Sequence, residues 1–550
     1  MRRTMRRMRR MKTSLAIILG IFLMGSALSG CGGGSSDTGS DAGGGTGSPS
    51  AEAAKGDDTE NSGGRRLVIG TGQTCGTLDP MEAYDGWYAV RFGFGQTLTK
   101  MNEDLSISGW LVKDDYAATD DNKTWTFTLR DGVAFSNGHV CDAAAAKAAI
   151  EYICENAKRS ADYFTPVSIE ADGQTLTITC EEAEPILPNK LADPLFTMID
   201  TSADMSDLAN KGPVGTGPFV VKSFDSATKE CVVEKNEDYW AGDVKLDEID
   251  FIYTEDQTTL TMGLQNGDFD AVYNISMTDI GLFEDNADYN ISRTASGRTT
   301  HGFMNQNRLL KDEILRRAIL QVIDREAICE HQLNGQYVAG KTLLTSASDY
   351  GYDELTDPNT FDKENAEKLL DDAGYEDKDG DGFRETPDGE TLDLEFLYYT
   401  GRPEQQVMVE ATQAACQEIG IKITPSVQDT QTVVDRLSAG EYDMLCMSIN
   451  VLNCADPENH MNTYFKSDGS NNAYGWKNKE FDSVMDALHV TADPNERTEL
   501  VKEAEQILLD ETVCIYFCYP VMNFVMKSNV SGITSTPADY YWVNEDTVIQ

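Results

Sequence analysis

The chain has 550 residues, enough for roughly three or four domains of average size, and carries 45 Lys and Arg against 92 Asp and Glu, a formal charge of −47. So strong a negative field repels phosphate backbones and anionic headgroups, which excludes nucleic acid as a partner. Hydrophobic residues at 40% and charged residues at 25% are ordinary for a globular chain, and the one long apolar run sits at the N-terminus.

Residues 1–12 hold seven Lys or Arg and no acid, and Ser14 to Ala27 is apolar but short for a bilayer span, the pattern of an export signal. Without those seven bases the rest of the chain carries about −54, so the acidity belongs to the exported body. Leu28-Ser29-Gly30-Cys31 resembles the lipobox of bacterial lipoproteins, which implies cleavage after residue 30 and a lipid on Cys31. Residues 32–64, rich in Gly, Ser and Asp, lack large apolar side chains and are expected to form a flexible tether of about 30 Å root-mean-square reach.

The body begins at Arg65. Leu67-Val68-Ile69 between glycines suits a buried strand, and Trp125, Phe127 and Leu129 alternate with threonines as a half-buried strand does. Asp142 caps an Ala-rich helix running toward Glu155, and a second alternating strand covers Thr175 to Thr179. Glu313 to Leu333 reads as one amphipathic helix with Leu315, Ile319, Val322 and Ile323 on its apolar stripe. Helices over Phe361 to Ala373 and Gln405 to Ile419 flank a strand from Leu392 to Tyr399, with Ile421 to Ile423 following as another strand. Alternation of helix and strand predicts an α/β class, and no repeat of solenoid length occurs.

Beyond Cys31 eleven cysteines are scattered at 75, 141, 154, 180, 231, 329, 416, 446, 454, 514 and 518, with no Cys-x-x-Cys pattern. Most are read as buried thiols acting as small hydrophobes.

Several segments in chain order resemble the bacterial extracellular solute-binding proteins of family 5, which serve peptide and nickel ABC importers. They are Leu78-Asp79-Pro80, Thr124 to Gly132, Gly215 to Phe219, Asn236 to Trp240, Gly267 to Asp270, Leu315 to Arg325, Ala366 to Tyr375, and Gly440 to Asp443 ahead of Asp456-Pro457. Most read as structural: the Gly215 to Pro218 run permits a tight loop, and Tyr239 and Trp240 suit packing with one polar edge satisfied.

The resemblance implies a two-lobed α/β fold of the periplasmic-binding-protein type (type II, large peptide and nickel cluster) with a hinge and an interlobe cleft. The expected lobes are residues 65–299 plus 523–550 and residues 300–522, with two crossing strands near 300 and 522. It also implies an ABC permease as partner, a monomer, and an extracytoplasmic location on the bacterial membrane.

By the family's register, Asn453 stands where peptide binders place the Asp that pairs with a peptide's α-amino group, and Asn450 where they place a Trp. Arg159 is the best match to the Arg that faces chelator carboxylates in nickel binders, while Tyr84 and Trp87 lie where members line the cleft. A peptide is the preferred solute, with a nickel-chelator complex as the alternative.

Two further constellations come from the residues themselves. Ser296 to His301 sets Arg298 and His301 beside Gly297, either a carboxylate site or a solvated strand end with His301 satisfied locally. Asp377, Asp379, Asp381, Glu385 and Asp388 follow EF-hand spacing, with Asp in place of the final bidentate Glu. Structural calcium and a hydrated acidic hairpin both remain open there, and no other cofactor is called for.

The rival class is an exported peptidase. Five His at 139, 301, 331, 460 and 489 include no His-Glu-x-x-His pair, and no Gly-x-Ser-x-Gly elbow occurs. No catalytic constellation is expected.

Overall fold

The computed structural model describes residues 65–276, 278–348, 350–399 and 402–550. The export signal, Cys31 and the tether lie outside the described residues. Twelve strands form the central sheet: β1 Arg66–Thr71, β2 Phe219–Phe224, β3 Cys231–Lys235, β4 Glu248–Tyr253, β5 Ala271–Tyr273, β6 Tyr289–Ala295, β7 Arg298–Met304, β8 Tyr337–Ala339, β9 Asp393–Tyr399, β10 Lys422–Gln428, β11 Met444–Asn450 and β12 Cys514–Lys527. Their order is β10-β9-β11-β7-β12-β5-β1-β4-β3-β2, with β6 and β8 pairing β12 off this path. The helices used below are α1 Gly86–Arg91, α2 Ala143–Asn156, α3 Glu313–Val322, α4 Lys363–Asp372, α5 Pro403–Glu418, α6 Glu458–Tyr464, α7 Lys479–Val490 and α8 Pro494–Asp510.

The architecture follows from β12, whose first half is a continuous apolar run. Cys514 and Tyr516 enter one core with Phe303 and Phe465, while Ile515 and Phe517 enter the opposite core with Leu315 and Met408. Alternation on a strand buried on both faces demands cover on both sides, which α6 to α8 and α3 to α5 supply. Cys514 to Cys518 pair with β7, whereas Val521 to Lys527 pair with β6. The change of partner falls at Pro520, which has no N–H to give a ladder. Its carbonyl accepts both the backbone N–H (3.0 Å) and the hydroxyl (2.9 Å) of Ser296. Only Ser296 and Gly297 separate β6 from β7. Two strand crossings thus join a first group, β1 to β6 with the end of β12, to a second group, β7 to β11 with its start. This is a two-lobed mixed α/β fold.

Within the first group β1 runs parallel to β4 and β5, and a separate sheet containing Thr124–Thr128, Thr175–Cys180 and Pro166–Asp172 packs on α2. The Asp142 side chain accepts from the N–H groups of Ala144 and Ala145, the expected cap. Tyr239 and Trp240 pack as expected, sharing the Gln96 amide through the Tyr239 hydroxyl (2.8 Å) and Trp240 Nε1 (3.0 Å). In the second group β9 is parallel to both β10 and β11.

Two expected helices differ. The helix expected over Glu313 to Leu333 stops at Val322, because Ile323 turns extended and the Asp324 carboxylate accepts from the Ala327 N–H to cap a new start. A π-turn over Ile328–Gln332 follows. The helix expected from Phe361 begins at Lys363, capped by Asp362, and leaves Phe361 exposed. All eleven cysteines of the body are free thiols, ten of them buried.

The Gly215 to Pro218 loop needs its glycines for close approach. A Cβ at Gly215 would meet the Phe94 carbonyl oxygen, and one at Gly217 the Gly93 carbonyl oxygen, both far inside contact distance. Gly215→Ala is expected to cost about 2 kcal/mol or more through overpacking against immovable backbone. Gly132→Ala, where nothing lies within 4 Å and only φ of +82° is strained, should cost about 1 kcal/mol. Urea midpoints of the two variants check this ranking.

Candidate functional site

The sheet edge formed by the carboxyl ends of β9 and β11 and the amino end of β7 is where chemistry gathers. Register pairs Arg298 at the start of β7 with Asn450 at the end of β11, and Leu397 of β9 with Leu445. In open α/β sheets the loops beyond the carboxyl ends of parallel strands are where ligands sit.

One wall comes from the first lobe. The Asp85 carboxylate accepts from the N–H groups of Gly76 (3.1 Å) and Thr77 (2.9 Å), and Gly86 is wedged between the Pro80 and Pro194 carbonyls, which fixes the start of α1. Tyr84 is 56% exposed, and its ring lies 5.6 Å from that of Trp87. Trp87 in turn packs 5.3 Å from Tyr540, and its Nε1 is buried without an acceptor. The Arg159 guanidinium stacks 3.7 Å over Tyr84 and donates to the Ala83 carbonyl (2.5 Å) and the Tyr163 hydroxyl (2.6 Å). Tyr163 passes the chain on to the buried Asp193 carboxylate at 2.8 Å. Burial works against the charge on Arg159, but Tyr163, Tyr84 and Asp193 outweigh it and raise its pKa.

The facing loop runs from Asn450 to Pro457. Asn450 folds back to accept from the Leu452 N–H (3.1 Å), the Val451 N–H donates to the Gly297 carbonyl, and Tyr540 donates to the Asn453 carbonyl (3.1 Å). Asn189 donates to the Cys454 carbonyl (3.1 Å). Behind the loop, Arg497 bridges Asp456 (2.8 Å) and Glu458 (2.9 Å) in the interior, and Glu458 also bonds His489 at 2.8 Å. Burial pushes Asp456 up, whereas at Glu458 the His489 hydrogen bond and the Arg497 charge overcome burial and hold the carboxyl well below its usual range.

At the crossing, Arg298 donates to the Ser448 carbonyl (2.9 Å), to which the Tyr399 hydroxyl also points (3.4 Å). The Ser448 hydroxyl donates to Glu404 at 2.6 Å, and Tyr337 donates to the other Glu404 oxygen at 3.1 Å. Burial and the neighbouring Arg402 push Arg298 down to about 10. Arg91 pairs with Asp539 at 2.7 Å. By contrast, among the described residues Arg159, Arg298 and Arg402 have no carboxylate oxygen within 4.0 Å.

The structure therefore brings Tyr84, Trp87 and Arg159 together around Tyr540, which also touches the Asn453 backbone, and sets Arg298 beside Asn450. His301 is a correction. Its side chain is fully buried on the opposite face of β7, stacked on Phe303 and 5.2 Å from the ring of His460, with Nδ1 on the Thr299 carbonyl (2.8 Å). Alternation along the strand sends Arg298 and His301 to different faces, and burial pushes His301 down to about 4. A carboxylate-binding role does not fit that placement.

Sequence reasoning passed over Arg402, Tyr399 and Tyr540. Tyr399 ends β9 and Arg402 follows it, a position whose meaning depends on knowing that β9 is parallel to β11. In the acidic loop, the carboxylates of Asp377, Asp379 and Asp381 lie within 4.8 Å of one another, all exposed. Glu385 is turned inward to accept from the Lys378 N–H (2.8 Å), and Asp388 is outside the group.

Aromatic rings and arginines from both strand groups thus gather at a shared sheet edge of a two-lobed mixed α/β fold. The description "Bacterial extracellular solute-binding proteins, family 5 Middle" matches residues 106–472, and the chain belongs to that family of ABC-transporter solute-binding proteins. It is 27% identical over 473 residues to the nickel-binding protein NikA of Staphylococcus aureus, covering 85% of this chain and 91% of that one. It is also 27% identical over 500 residues to the glutathione-binding protein GsiB of Salmonella paratyphi A, covering 88% and 92%. The crystal structure of NikA from Brucella suis superposes with a TM-score of 0.79 at 24% identity, over 88% of this chain and all of that one.

Removing Arg497 would leave two buried carboxylates facing each other, so Arg497→Met is expected to cost about 3 to 5 kcal/mol, read as a shift of the urea midpoint. The hydrogen bond to Glu458 raises His489 above 6.5, against burial and Lys190 and with Glu184 assisting. A raised value stabilises below the unfolded pKa and is lost as pH climbs through the folded one. The stability gap between wild type and His489→Gln should accordingly be widest near pH 6 and narrow toward pH 8.

Proposed function

We propose that the protein captures a small solute in the crevice between lobes 65–299 plus 523–550 and 300–522, and hands it unchanged to an ABC permease. It works as a monomer on the outer face of the bacterial membrane, held by a lipid on Cys31, and it is not an enzyme. The observation that carries this reading is the convergence of Tyr84, Trp87 and Arg159 with the Asn450 to Asn453 loop at the two strand crossings, because paired crossings let lobes swing about a crevice without chemistry. Solute then shifts an open and closed equilibrium by its differential affinity. No cofactor enters capture, and calcium at Asp377, Asp379 and Asp381 would serve only to brace an exposed loop.

A peptide remains the preferred solute class, in keeping with the glutathione-binding name of one relative. A nickel-chelator complex is the second reading. It is favoured by the neutral Asn453, which offers no charge to an α-ammonium, and by the nickel-binding name of another relative. Mass spectrometry of solute released on denaturing natively purified protein decides between them, and peptide turnover by the protein would sink both.

Trp87→Phe keeps an aromatic ring but removes the fused pyrrole and its buried Nε1–H, which has no acceptor. Lost packing against Tyr540 and loss of the orphan donor oppose each other, so the stripped protein should melt close to wild type, while the released solute is retained about tenfold more weakly. Calorimetry with the identified solute reads the difference.

A further inference from the structure

The loop from Asn450 to Pro457 is divided between the two lobes. Val451, Leu452 and Ala455 pack in a core with Leu445, Met447 and Met461 of the second lobe. Cys454 goes the other way. Its side chain is 4% exposed, and among the described residues every other buried member of its core falls between Leu98 and Ile199, in the first lobe. Cys416 and Cys446, by contrast, lie in a core whose buried members all fall between Met304 and Cys518, in the second lobe.

Backbone contacts agree with the side chain. The Cys454 carbonyl accepts from Asn189 Nδ2 at 3.1 Å, and the carbonyl before it, on Asn453, accepts from the Tyr540 hydroxyl at 3.1 Å. Both donors belong to the first lobe, so two consecutive carbonyls of a second-lobe loop are held across the divide. Asn189 stands on a fixed support: the helical turn Leu187–Lys190 buries Leu187 and Pro188, and the Pro188 carbonyl accepts from the Thr99 hydroxyl at 2.6 Å. Just beyond Cys454, Ala455 holds a φ of +54°, a left-handed backbone that costs a residue with a Cβ unless its contacts keep it there. The seat also adjoins the solute wall. The Asp193 carboxylate that ends the Arg159 and Tyr163 chain acts with burial, the larger cause, to push the Cys454 thiol well up.

We propose that the Asn453-Cys454 segment is a latch between the lobes: Asn189 positions it, Cys454 seats it in the first lobe's core, and it withdraws each time the crevice opens. This rests on the reading of the crevice as the solute site and concerns how that site is closed.

A core built by one lobe opens only when that lobe unfolds, whereas a contact made across a hinge opens with the hinge. One small apolar side chain and two neutral hydrogen bonds, each worth about a fivefold preference, hold lobes together without fixing them. Alkylation of a thiol requires the thiolate, which burial suppresses, so a seated Cys454 is inert and a withdrawn one reacts. Its thiol therefore records opening, and the thiols of Cys416 and Cys446 record unfolding.

Iodoacetamide on natively purified full-length protein, followed by peptide mass mapping, reads both records. Half-exposed Cys154 is expected to label first, Cys454 next, and Cys416 and Cys446 only as the protein unfolds. Asn189→Ala removes one donor and is expected to label Cys454 about fivefold faster while Cys416 and Cys446 stay unchanged. General destabilisation would instead speed all three. Should Asn189→Ala misfold, Tyr540→Phe removes the other donor and tests the same difference. Protein carbamidomethylated at Cys454 is expected to have a larger radius of gyration in solution scattering, since the enlarged side chain no longer fits its seat, and Cys454→Ser treated alike should stay compact. Labelling of Cys454 no faster than Cys416, or equal acceleration of all three thiols by Asn189→Ala, overturns the latch. Solute released from natively purified protein alongside such a result leaves capture standing and the latch fallen. Selective labelling of Cys454 in protein that releases no solute supports the latch between lobes and ends the capture reading.

Discussion

One strand holds the molecule to its design. β12 pairs with β7 and β8 over its first half and with β5 and β6 over its second, so neither lobe's sheet is complete without it. Proline at the change of partner removes the N–H that would otherwise tie both ladders together, and the Ser296 side chain caps the freed carbonyl. Backbone continuity and local weakness coincide there. A hinge needs both, since a loop would let the lobes drift and an unbroken ladder would fuse them.

The same crossing explains where charge is concentrated. A chain so rich in Asp and Glu keeps most of them solvated on its surface, yet the interior around the crevice is organised by arginines: Arg497 under the Asn450 to Pro457 loop, Arg159 against Tyr84, Arg91 against Asp539. Arg497 is structural because both its carboxylates are buried with it. Arg159 is held by a carbonyl, a hydroxyl and a ring face, which fix its direction without neutralising it. The distinction between an arginine consumed by the fold and one kept available is made by what lies within 4 Å, and sequence does not carry that information.

Local signals were legible to the extent that they were local. The alternation in Thr124–Thr128, the Asp142 cap and the close-packed glycines near Pro218 appear in the structure as their residues imply. The helix expected over Glu313 to Leu333 failed at Ile323, where periodicity continued but Asp324 offered a competing cap, a choice that apolar spacing does not register. His301 was grouped with Arg298 because three residues look adjacent on paper, whereas a strand sends positions of odd separation to opposite faces. Arg402 was missed for the converse reason: its importance lies in the neighbour order β9-β11-β7, and strand order is a property of the whole chain.

The polarity of the crevice follows from these placements. Where a carboxylate would greet an ammonium, this chain has Asn453, whose backbone carbonyl is already engaged by Tyr540. The carboxylates of Glu404 and Asp539 have both oxygens engaged by neighbours. What remains uncommitted is donor capacity: guanidinium N–H groups at the hinge and the indole N–H of Trp87 at the mouth. A desolvated donor costs about 1 to 3 kcal/mol until it is met. A guest that brought acceptors to these donors would offset that cost.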